Sequence, residues 1–229
     1  MKLTIFETLL RLPLFQGLGS NELMDIVNRT QMEFRTEPNG VELVKEGDIC
    51  DKLLFLLDGK IYAETTNSNH RFILGEILSA PFVFQPECLF GLTTRFTKSF
   101  YVKDDAQLLI LSKQTIVEQF FHYEIFHFNL LNLLSSQIQQ AQKLLWKETS
   151  KDLMHKFVFF VQTRAIRPAG EKILKIKMED LASFLGETRL NISRMLHALH
   201  EEKLIEINRK EIIIPALENL IIKISQNNK

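Results

Sequence analysis

The sequence predicts an α+β chain in which an antiparallel β-roll is followed by a long helix and then by a winged helix-turn-helix. Short β-rich runs separated by turn signals fill residues 32–111, and apolar residues recur at helical spacing from about Thr115. Residues 178–214 then have the pattern of two helices joined at a glycine and followed by two short strands. The predicted domains are therefore a β-roll with N-terminal helices (1–114), a long helix (115–147) and a winged helix-turn-helix domain (148–229).

The N-terminal part begins with an amphipathic helix, because Glu7 and Arg11 interrupt its apolar residues. A second helix is predicted over residues 20–29, capped by Ser20 or Asn21 with Glu22 just inside. The runs VELV, LLFLL, KIYAE, RFILGEI, SFYVK and QLLIL follow, separated by turn signals such as Asp58-Gly59. Short strands at such regular spacing favour an antiparallel roll or barrel.

The long helix carries an apolar seam with 3-4-3-4 spacing, formed by Leu131, Leu134, Ile138, Ala141 and Leu145. Such spacing is typical of a coiled-coil interface, although a single helix packed on its own β-roll is the alternative. Further leucines at 130, 133 and 144 make a second face apolar as well. Packing one face on the β-roll and the other on the same helix of a second subunit accounts for both apolar faces. The polar residues Lys147–Ser150 are the predicted hinge.

The helix-turn-helix is predicted from three small or branched residues at key positions. Ala182 lies where the helices cross, Gly186 tolerates a left-handed turn, and Ile192 anchors the second helix. Apolar residues at helical spacing flank the turn on both sides: Leu181, Leu185, Met195, Leu196 and Leu199.

The second helix of this motif has a polar leading end. Thr188 is a natural N-cap, and Arg189, Ser193 and Arg194 follow within two turns, where arginine could bind guanine O6 and N7. An ordinary helical hairpin with solvated arginines is the alternative. The two short β runs at 204–207 and 211–214, joined by a polar tip, favour a winged motif.

Charge is divided unevenly along a chain whose formal net charge is zero. Residues 151–229 hold 14 Lys and Arg against 10 Asp and Glu, so this part is +4 and the remainder −4. Basic charge therefore coincides with the predicted helix-turn-helix. Cys50 and Cys88 are too few for a disulfide scaffold, and no uninterrupted apolar span occurs, so a cytoplasmic protein without a membrane segment is expected. Catalytic motifs are absent, which argues against an enzyme.

The segment DLASFLGETRLNISRMLHALHEEKLIEINRKEIII resembles the DNA-binding domain of the Crp/Fnr family of bacterial transcription regulators. The opening LFQGL is similar to that of Crp/Fnr sensor domains, and LVKEGDICDKLLFLLDGKIYAE resembles their cyclic-nucleotide-binding-type roll, with Gly47 and Gly59 at turn positions. The resemblance implies a homodimer that joins through the long helix and binds pseudo-palindromic double-stranded DNA. RNA polymerase is a further partner that it implies.

The resemblance also implies roles for individual residues. Base reading is expected from Arg189, Leu190, Ser193 and Arg194, with Ser193 placed on a base edge or a phosphate. Phosphate contacts are expected from Lys177, Thr188, Arg209 and Lys210. Leu190 departs from the glutamate found in cyclic-AMP receptors; it cannot accept a hydrogen bond from cytosine but could contact a thymine methyl, so a different half-site is expected. Lys177 stands where the family often has a Ser or Thr cap.

The family's effector pocket is matched only in part. Glu87 and Ser99 are kept, but Pro86, Lys98 and Phe100 replace a glycine, an arginine and a small residue. Proline removes an amide donor, and lysine cannot bind a phosphate in bidentate fashion. Leu145 and Trp146 replace the polar pair that the cyclic-AMP receptor presents to adenine. Cyclic AMP is therefore not the expected effector, and an unrecognised small molecule or no ligand remains.

Other functions stay open at this point. Iron–sulfur sensing lacks the N-terminal cysteines it requires, whereas a haem sensor could draw on His122, His127 or Cys88. A ligand-binding or protein-interaction module that lost DNA binding is a further alternative, although the arginines of the second helix argue against it. No cofactor and no metal ion is expected.

Overall fold

The computed structural model describes residues 5–146 and 152–226, which contain nine strands and eight α-helices. The strands are β1 (Glu33–Glu37), β2 (Glu42–Val44), β3 (Lys52–Thr66), β4 (Phe72–Ser79), β5 (Phe82–Val83), β6 (Ser99–Ser112), β7 (Lys172–Ile176), β8 (Glu206–Asn208) and β9 (Glu211–Ile214). The helices are α1 (Ile5–Leu10), α2 (Ser20–Arg29), α3 (Lys113–Glu118), α4 (Glu124–Leu145), α5 (Leu153–Gln162), α6 (Met178–Leu185), α7 (Arg189–Glu201) and α8 (Leu217–Gln226).

The chain divides into two compact units. Unit 1 comprises Met1–Ile61 and Leu78–Gln142, and unit 2 comprises Tyr62–Ile77 and Lys143–Lys229. This division differs from the predicted boundaries, because a hairpin from the β-rich segment groups with the C-terminal residues. The predicted hinge at Lys147–Ser150 lies outside the described residues.

Unit 1 is built on antiparallel strand pairs. Strands β1 and β2 both pair with β6, and β5 pairs with β3. Phe15 lies at the centre of an aromatic core, with its ring centroid 5.5–5.7 Å from those of Phe55, Phe120 and Phe126. All four side chains are fully buried. The predicted α+β class with an N-terminal antiparallel roll is confirmed.

The two longest strands continue through positions where the sequence predicts turns. Asp58-Gly59 lies inside β3, which joins the runs LLFLL and KIYAE, and β6 likewise joins SFYVK and QLLIL. Gly59 has φ +89°, and a Cβ there would lie 2.3 Å from the Asp105 carbonyl oxygen. The glycine therefore permits a close approach of two backbones within a continuous strand, and the predicted turn at this position is wrong.

Two helix boundaries also differ from the sequence prediction. The N-cap of α2 is Gly19 and neither of the predicted caps, Ser20 or Asn21; the Gly19 amide donates to Glu22 Oε2 at 2.8 Å. The predicted long helix from Thr115 is interrupted, because α3 ends at Glu118 and a 3₁₀ turn over Phe120–His122 precedes α4. None of the helices in the described ranges is long and apolar enough to cross a membrane.

In unit 2, the antiparallel strands β4, β7, β9 and β8 lie side by side in that order, and the end of β3 pairs with β4. Helices α5 to α8 pack on this sheet around one hydrophobic core. Asp152 caps α5, accepting a hydrogen bond from the His155 amide at 3.0 Å. Hydrogen bonds between the Asp152 carboxylate and His155 lower the pKa of that carboxyl group. Helices α6 and α7, followed by the β8–β9 hairpin, form the winged motif expected from the sequence.

Candidate nucleic-acid interface

The turn between α6 and α7 has the geometry that Gly186 predicts. Gly186 adopts the left-handed conformation, with φ +65° and ψ +39°. The amide of Glu187 donates to the Ala182 carbonyl at 3.0 Å, which satisfies a group that the end of α6 would leave unpaired. Thr188 then caps α7, its hydroxyl accepting from the Asn191 amide at 3.2 Å. The predicted helix–turn–helix is confirmed in its turn glycine and its cap.

Apolar residues hold the two helices against the core of unit 2. Ile192, Leu196 and Leu199 on α7 are 0–1% exposed, as is Leu181 on α6. Burying a leucine or isoleucine side chain stabilises a fold by roughly 1.5–3 kcal/mol. This stripe fixes which face of α7 turns outward, and the outward face is the polar one.

The outward face of α7 carries the side chains predicted to read bases. Arg189 and Arg194 are exposed, Leu190 is 59% exposed, and Ser193 is half-buried. Arg189 Nη1 lies 3.5 Å from Glu179 Oε1 on α6, and both side chains are more than two-thirds exposed. So exposed a pair is weak, since water screens it, and the arginine can exchange Glu179 for another acceptor.

The wing places cations beside this face. β8 and β9 pair through Asn208 and Glu211, so Arg209 and Lys210 form the tip, and both are exposed. The structure begins β8 at Glu206, two residues later than the sequence indicates. Lys210 has φ +63°, and its carbonyl accepts a hydrogen bond from the Ile176 amide at 3.0 Å. This hydrogen bond fixes the tip of the wing to the end of β7.

A cleft of about 320 Å³ brings several of the predicted residues together. Lys177, Arg189 and Lys210 all line it, along with the acidic residues Glu179 and Glu211 and with Asn208. Three cationic side chains from β7–α6, α7 and the wing thus converge on one concave surface. Such a surface suits an anionic backbone, because the positive charges attract phosphates.

Sequence reasoning missed Glu187, which holds the turn in place. Its carboxylate accepts from Lys156 Nζ at 3.1 Å and from Asn191 Nδ2 at 3.3 Å. These hydrogen bonds, that from Lys156 first, lower the pKa of the Glu187 carboxyl group. The i,i+4 spacing of Glu187 and Asn191 was a usable signal. The contact with Lys156 on α5 gave no such signal, since Lys156 and Glu187 are 31 residues apart in the sequence.

The residues that correspond to the family's effector pocket differ in exposure and in their hydrogen bonds. Glu87 is exposed, Lys98 is half-buried, and Ser99 is buried with its hydroxyl accepting from the Glu46 amide at 3.0 Å. The Gln85 side chain bonds Thr97 twice, at 2.5 Å and 3.0 Å. The Ser99 hydroxyl and the Gln85 side chain are therefore both engaged by other groups of the protein.

Aromatic rings fill the interior beside that segment. Phe100 is fully buried and its ring centroid lies 4.8 Å from that of Phe84, which in turn lies 5.5 Å from that of Phe82. A phenylalanine therefore occupies the position at which cyclic-AMP receptors have a small residue.

The residues considered for haem show no shared site in the described part of the chain. His122 and His127 are exposed, and the His127 ring stacks on Phe121 with centroids 4.6 Å apart. Cys88 is buried, and this burial raises the pKa of its thiol. Among the residues at 5–146 and 152–226, no group of three or more His, Cys, Asp or Glu side chains is arranged to hold a metal ion.

The predicted seam of α4 faces outward. Leu131 is 50% exposed, Ile138 59% and Leu145 82%, while Ala141 is exposed and Leu134 half-buried. In the first two turns of the helix, Phe126 and Leu130 are buried. Helix α4 therefore has one buried face and one apolar face open to solvent.

Comparisons with known proteins agree with this geometry. Residues 153–221 match the family model described as a Crp-like helix-turn-helix domain. The chain is 24% identical over 195 residues to the Cyclic AMP receptor protein of Thermus thermophilus, which covers 85% of this chain and 88% of that protein. It is similar in fold to the Thermus thermophilus Catabolite Activator Protein, with a TM-score of 0.52, 22% identity, and coverage of 91% of this chain and 96% of that one. Residues 153–221 thus carry a Crp-like helix-turn-helix domain, and the chain as a whole is similar to Crp/Fnr-type transcription regulators.

Proposed function

We propose that this protein is a homodimeric regulator that reads a pseudo-palindromic operator. Each α7 enters a major groove, and the two half-site centres lie about 34 Å apart, one helical turn of DNA. The observation that carries the proposal is the convergence of Lys177, Arg189 and Lys210 on one cleft, next to the exposed Arg194. Duplex DNA presents phosphates at regular spacing and could therefore engage several of these cations at once.

Base reading and phosphate binding fall to different residues in this arrangement. Arg189 and Arg194 donate hydrogen bonds to guanine edges, and Leu190 contacts a thymine methyl group. Ser193 contacts a base edge or a phosphate. Phosphate contacts come from the cap and the basic residues around the cleft: Lys177, Thr188, Arg209 and Lys210. Leu190 supports a half-site that differs from one read by a glutamate, because an aliphatic side chain cannot accept a hydrogen bond from cytosine.

The dimer forms through the open apolar face of α4. Leu131, Leu134, Ile138, Ala141 and Leu145 have the spacing of a coiled-coil seam, and most of this face is exposed in a single chain. Covering this face with the α4 helix of a second subunit would remove apolar surface from water. It would also place two α7 helices on one DNA duplex. The proposed location is the cytoplasm, where RNA polymerase is a further partner.

The effector is proposed to be something other than cyclic AMP, or none. The support is the aromatic filling around Phe84 and Phe100, together with the satisfied polar groups at Gln85 and Ser99. A ligand that acts on this protein must instead favour one of two dimer arrangements that differ in DNA affinity.

The proposal is tested by a mobility shift on DNA from the chain's own promoter at two salt concentrations, with and without cyclic AMP. We expect binding at about 50 mM salt that weakens by roughly 10³-fold or more at 200 mM, because bound phosphates release counterions. Cyclic AMP should leave the binding curve unchanged. Absence of binding even at low salt would favour a module that kept the fold without DNA activity, and a strong response to cyclic AMP would contradict the proposed effector assignment.

A further inference from the structure

We propose that the hairpin of residues 62–77 is a positioning element of the DNA-reading domain, docked on β7 and α6 so that DNA affinity depends on Arg71. This inference rests on the proposed DNA-binding function. The hairpin lies outside residues 153–221, the segment that matches the Crp-like helix-turn-helix family. It nevertheless belongs to the same compact unit as that segment.

The hairpin completes the sheet of unit 2. Five consecutive residues of β4, Phe72–Glu76, pair antiparallel with Lys172–Ile176 of β7. Strand β7 pairs with β9 on its other side. Without the hairpin β7 would be an edge strand with unpaired backbone groups, which proteins avoid leaving open.

One face of β4 forms part of the core beneath the helix-turn-helix. Phe72 and Leu74, two positions apart on the strand, are 7% and 1% exposed. Both belong to the core cluster that includes Leu181 of α6 and Leu196 of α7. Residues at i and i+2 share a face of a strand, so the docked strand supplies a continuous apolar stripe to this core.

Glu76 continues the same face as one half of a buried ion pair. Its carboxylate Oε2 lies 3.1 Å from Lys172 Nζ directly across the strands, and the two side chains are 1% and 0% exposed. Glu76 also accepts from the Ile166 and Arg167 amides at 2.6 and 3.3 Å, and Lys172 donates to the Ala169 carbonyl at 2.8 Å. The pair therefore fastens the hairpin to the loop between α5 and β7.

Arg71 connects the tip of the hairpin to α6. Its Nε donates to Asp180 Oδ1 at 2.7 Å, and its guanidinium carbon lies 4.6 Å from the centre of the Phe184 ring. Asp180 and Phe184 are one turn apart on α6, so the Arg71 side chain contacts this helix at two points. The Asn67 side chain closes the hairpin turn by accepting from the Arg71 and Phe72 amides at 2.7 and 3.0 Å.

The docked hairpin supports α7 indirectly, through α6, and leaves the outward face of α7 exposed. Phe72 packs edge-on against Phe160 of α5 and Phe184 of α6, with centroids 5.2 and 5.3 Å apart. Helix α6 in turn packs on α7 through the buried stripe. Arg189 and Arg194 remain exposed with the hairpin docked. The docked arrangement is thus compatible with DNA reading, and loss of docking would loosen the helix that supports α7.

The first experiment compares Arg71→Glu with Lys60→Glu in the full chain. The glutamate at 71 would face Asp180, and like charges at this distance repel. Lys60→Glu is the matched control, because it makes the same charge change on β3 in an exposed pair with Asp104. We expect Arg71→Glu to weaken binding to the promoter DNA roughly tenfold while Lys60→Glu stays within about twofold. Equal effects of the two variants would overturn the proposal.

The second experiment asks whether docking alone restores binding. Ile73 and Lys175 are directly opposed across β4 and β7, where Cα atoms are about 4.5–5.5 Å apart, so Ile73→Cys with Lys175→Cys can form a disulfide. In the Arg71→Glu background, oxidation should recover most of the lost DNA affinity, and reduction should remove it again. No recovery on oxidation would mean that Arg71 acts only through charge, and would overturn the positioning role.

Hydrogen exchange separates this inference from the DNA-binding proposal. Amides of α6 should exchange faster in Arg71→Glu and slow again when the disulfide forms, whereas those of β1 and β6 should not change. If the wild-type chain binds no DNA, the proposed function fails, and this exchange pattern still reports whether the hairpin holds α6. If the wild type binds and Arg71→Glu neither weakens binding nor alters exchange, only the hairpin inference is overturned.

Discussion

The Lys172→Met variant is expected to lose about 3–5 kcal/mol of unfolding free energy, the usual cost of leaving one partner of a buried ion pair without the other. Lys172 and Glu76 are 0% and 1% exposed, so water cannot replace the missing ammonium group. Methionine fills much of the space of the lysine stem, which limits any cavity. Urea denaturation followed by circular dichroism measures the change.

Two companion variants identify the cause of that loss. Lys175→Met on the same strand should change stability by less than about 0.5 kcal/mol. Lys175 is 44% exposed, and its Nζ lies as far as 3.9 Å from Glu64 Oε2, so this ion pair is weak. The double variant Glu76→Gln with Lys172→Met should recover more than half of the loss. A glutamine carries no charge and its carbonyl oxygen can still accept from the Ile166 amide. A double variant as unstable as Lys172→Met would show that the buried charge is not the cause.

The Ile138→Glu variant is expected to convert the proposed dimer to a monomer and to weaken binding to the proposed operator by about 10²–10⁴-fold. Ile138 lies at the centre of the open apolar face of α4 and is 59% exposed in the single chain. A glutamate there would place two carboxylates against each other in the seam, and a monomer loses the gain from engaging two half-sites on one duplex. Sedimentation velocity and a DNA titration measure the two effects.

Gln139→Glu is the matched control for the dimer prediction. Gln139 is exposed on the same helix, one residue further along and outside the 3-4-3-4 seam. It introduces the same charge, so it should leave both the mass and the DNA affinity within about twofold of the wild type. A dimer that survives Ile138→Glu would place the interface elsewhere.

Local signals in the sequence were sufficient to predict the helix-turn-helix of α6 and α7. Gly186 predicts the left-handed turn, Thr188 predicts the cap of α7, and the apolar spacing predicts which face is buried; each depends on residues within a few positions. Glu76 and Lys172 illustrate what such signals cannot supply. They are 96 positions apart, and charged residues in β-rich runs are normally taken as solvent-facing.

Strand continuity was the other failure of local signals. An Asp-Gly pair usually marks a turn, and at Gly59 the same conformational freedom instead allows close contact with the Asp105 carbonyl inside a long strand. The pairing of β4 with β7 was missed for a related reason. The alternation of apolar residues identifies a strand and its buried face, but not its partner.

The most direct test of sequence reading by α7 is an equilibrium titration of wild type, Arg194→Ala and Lys210→Ala on the cognate site and on a shuffled duplex. Arg194→Ala should cost about 1–3 kcal/mol on the cognate site, little on the shuffled duplex, and relax one base position. Lys210→Ala should weaken binding to both duplexes about equally, because a phosphate contact carries no sequence information. Equal losses on both duplexes for Arg194→Ala would contradict base reading by α7.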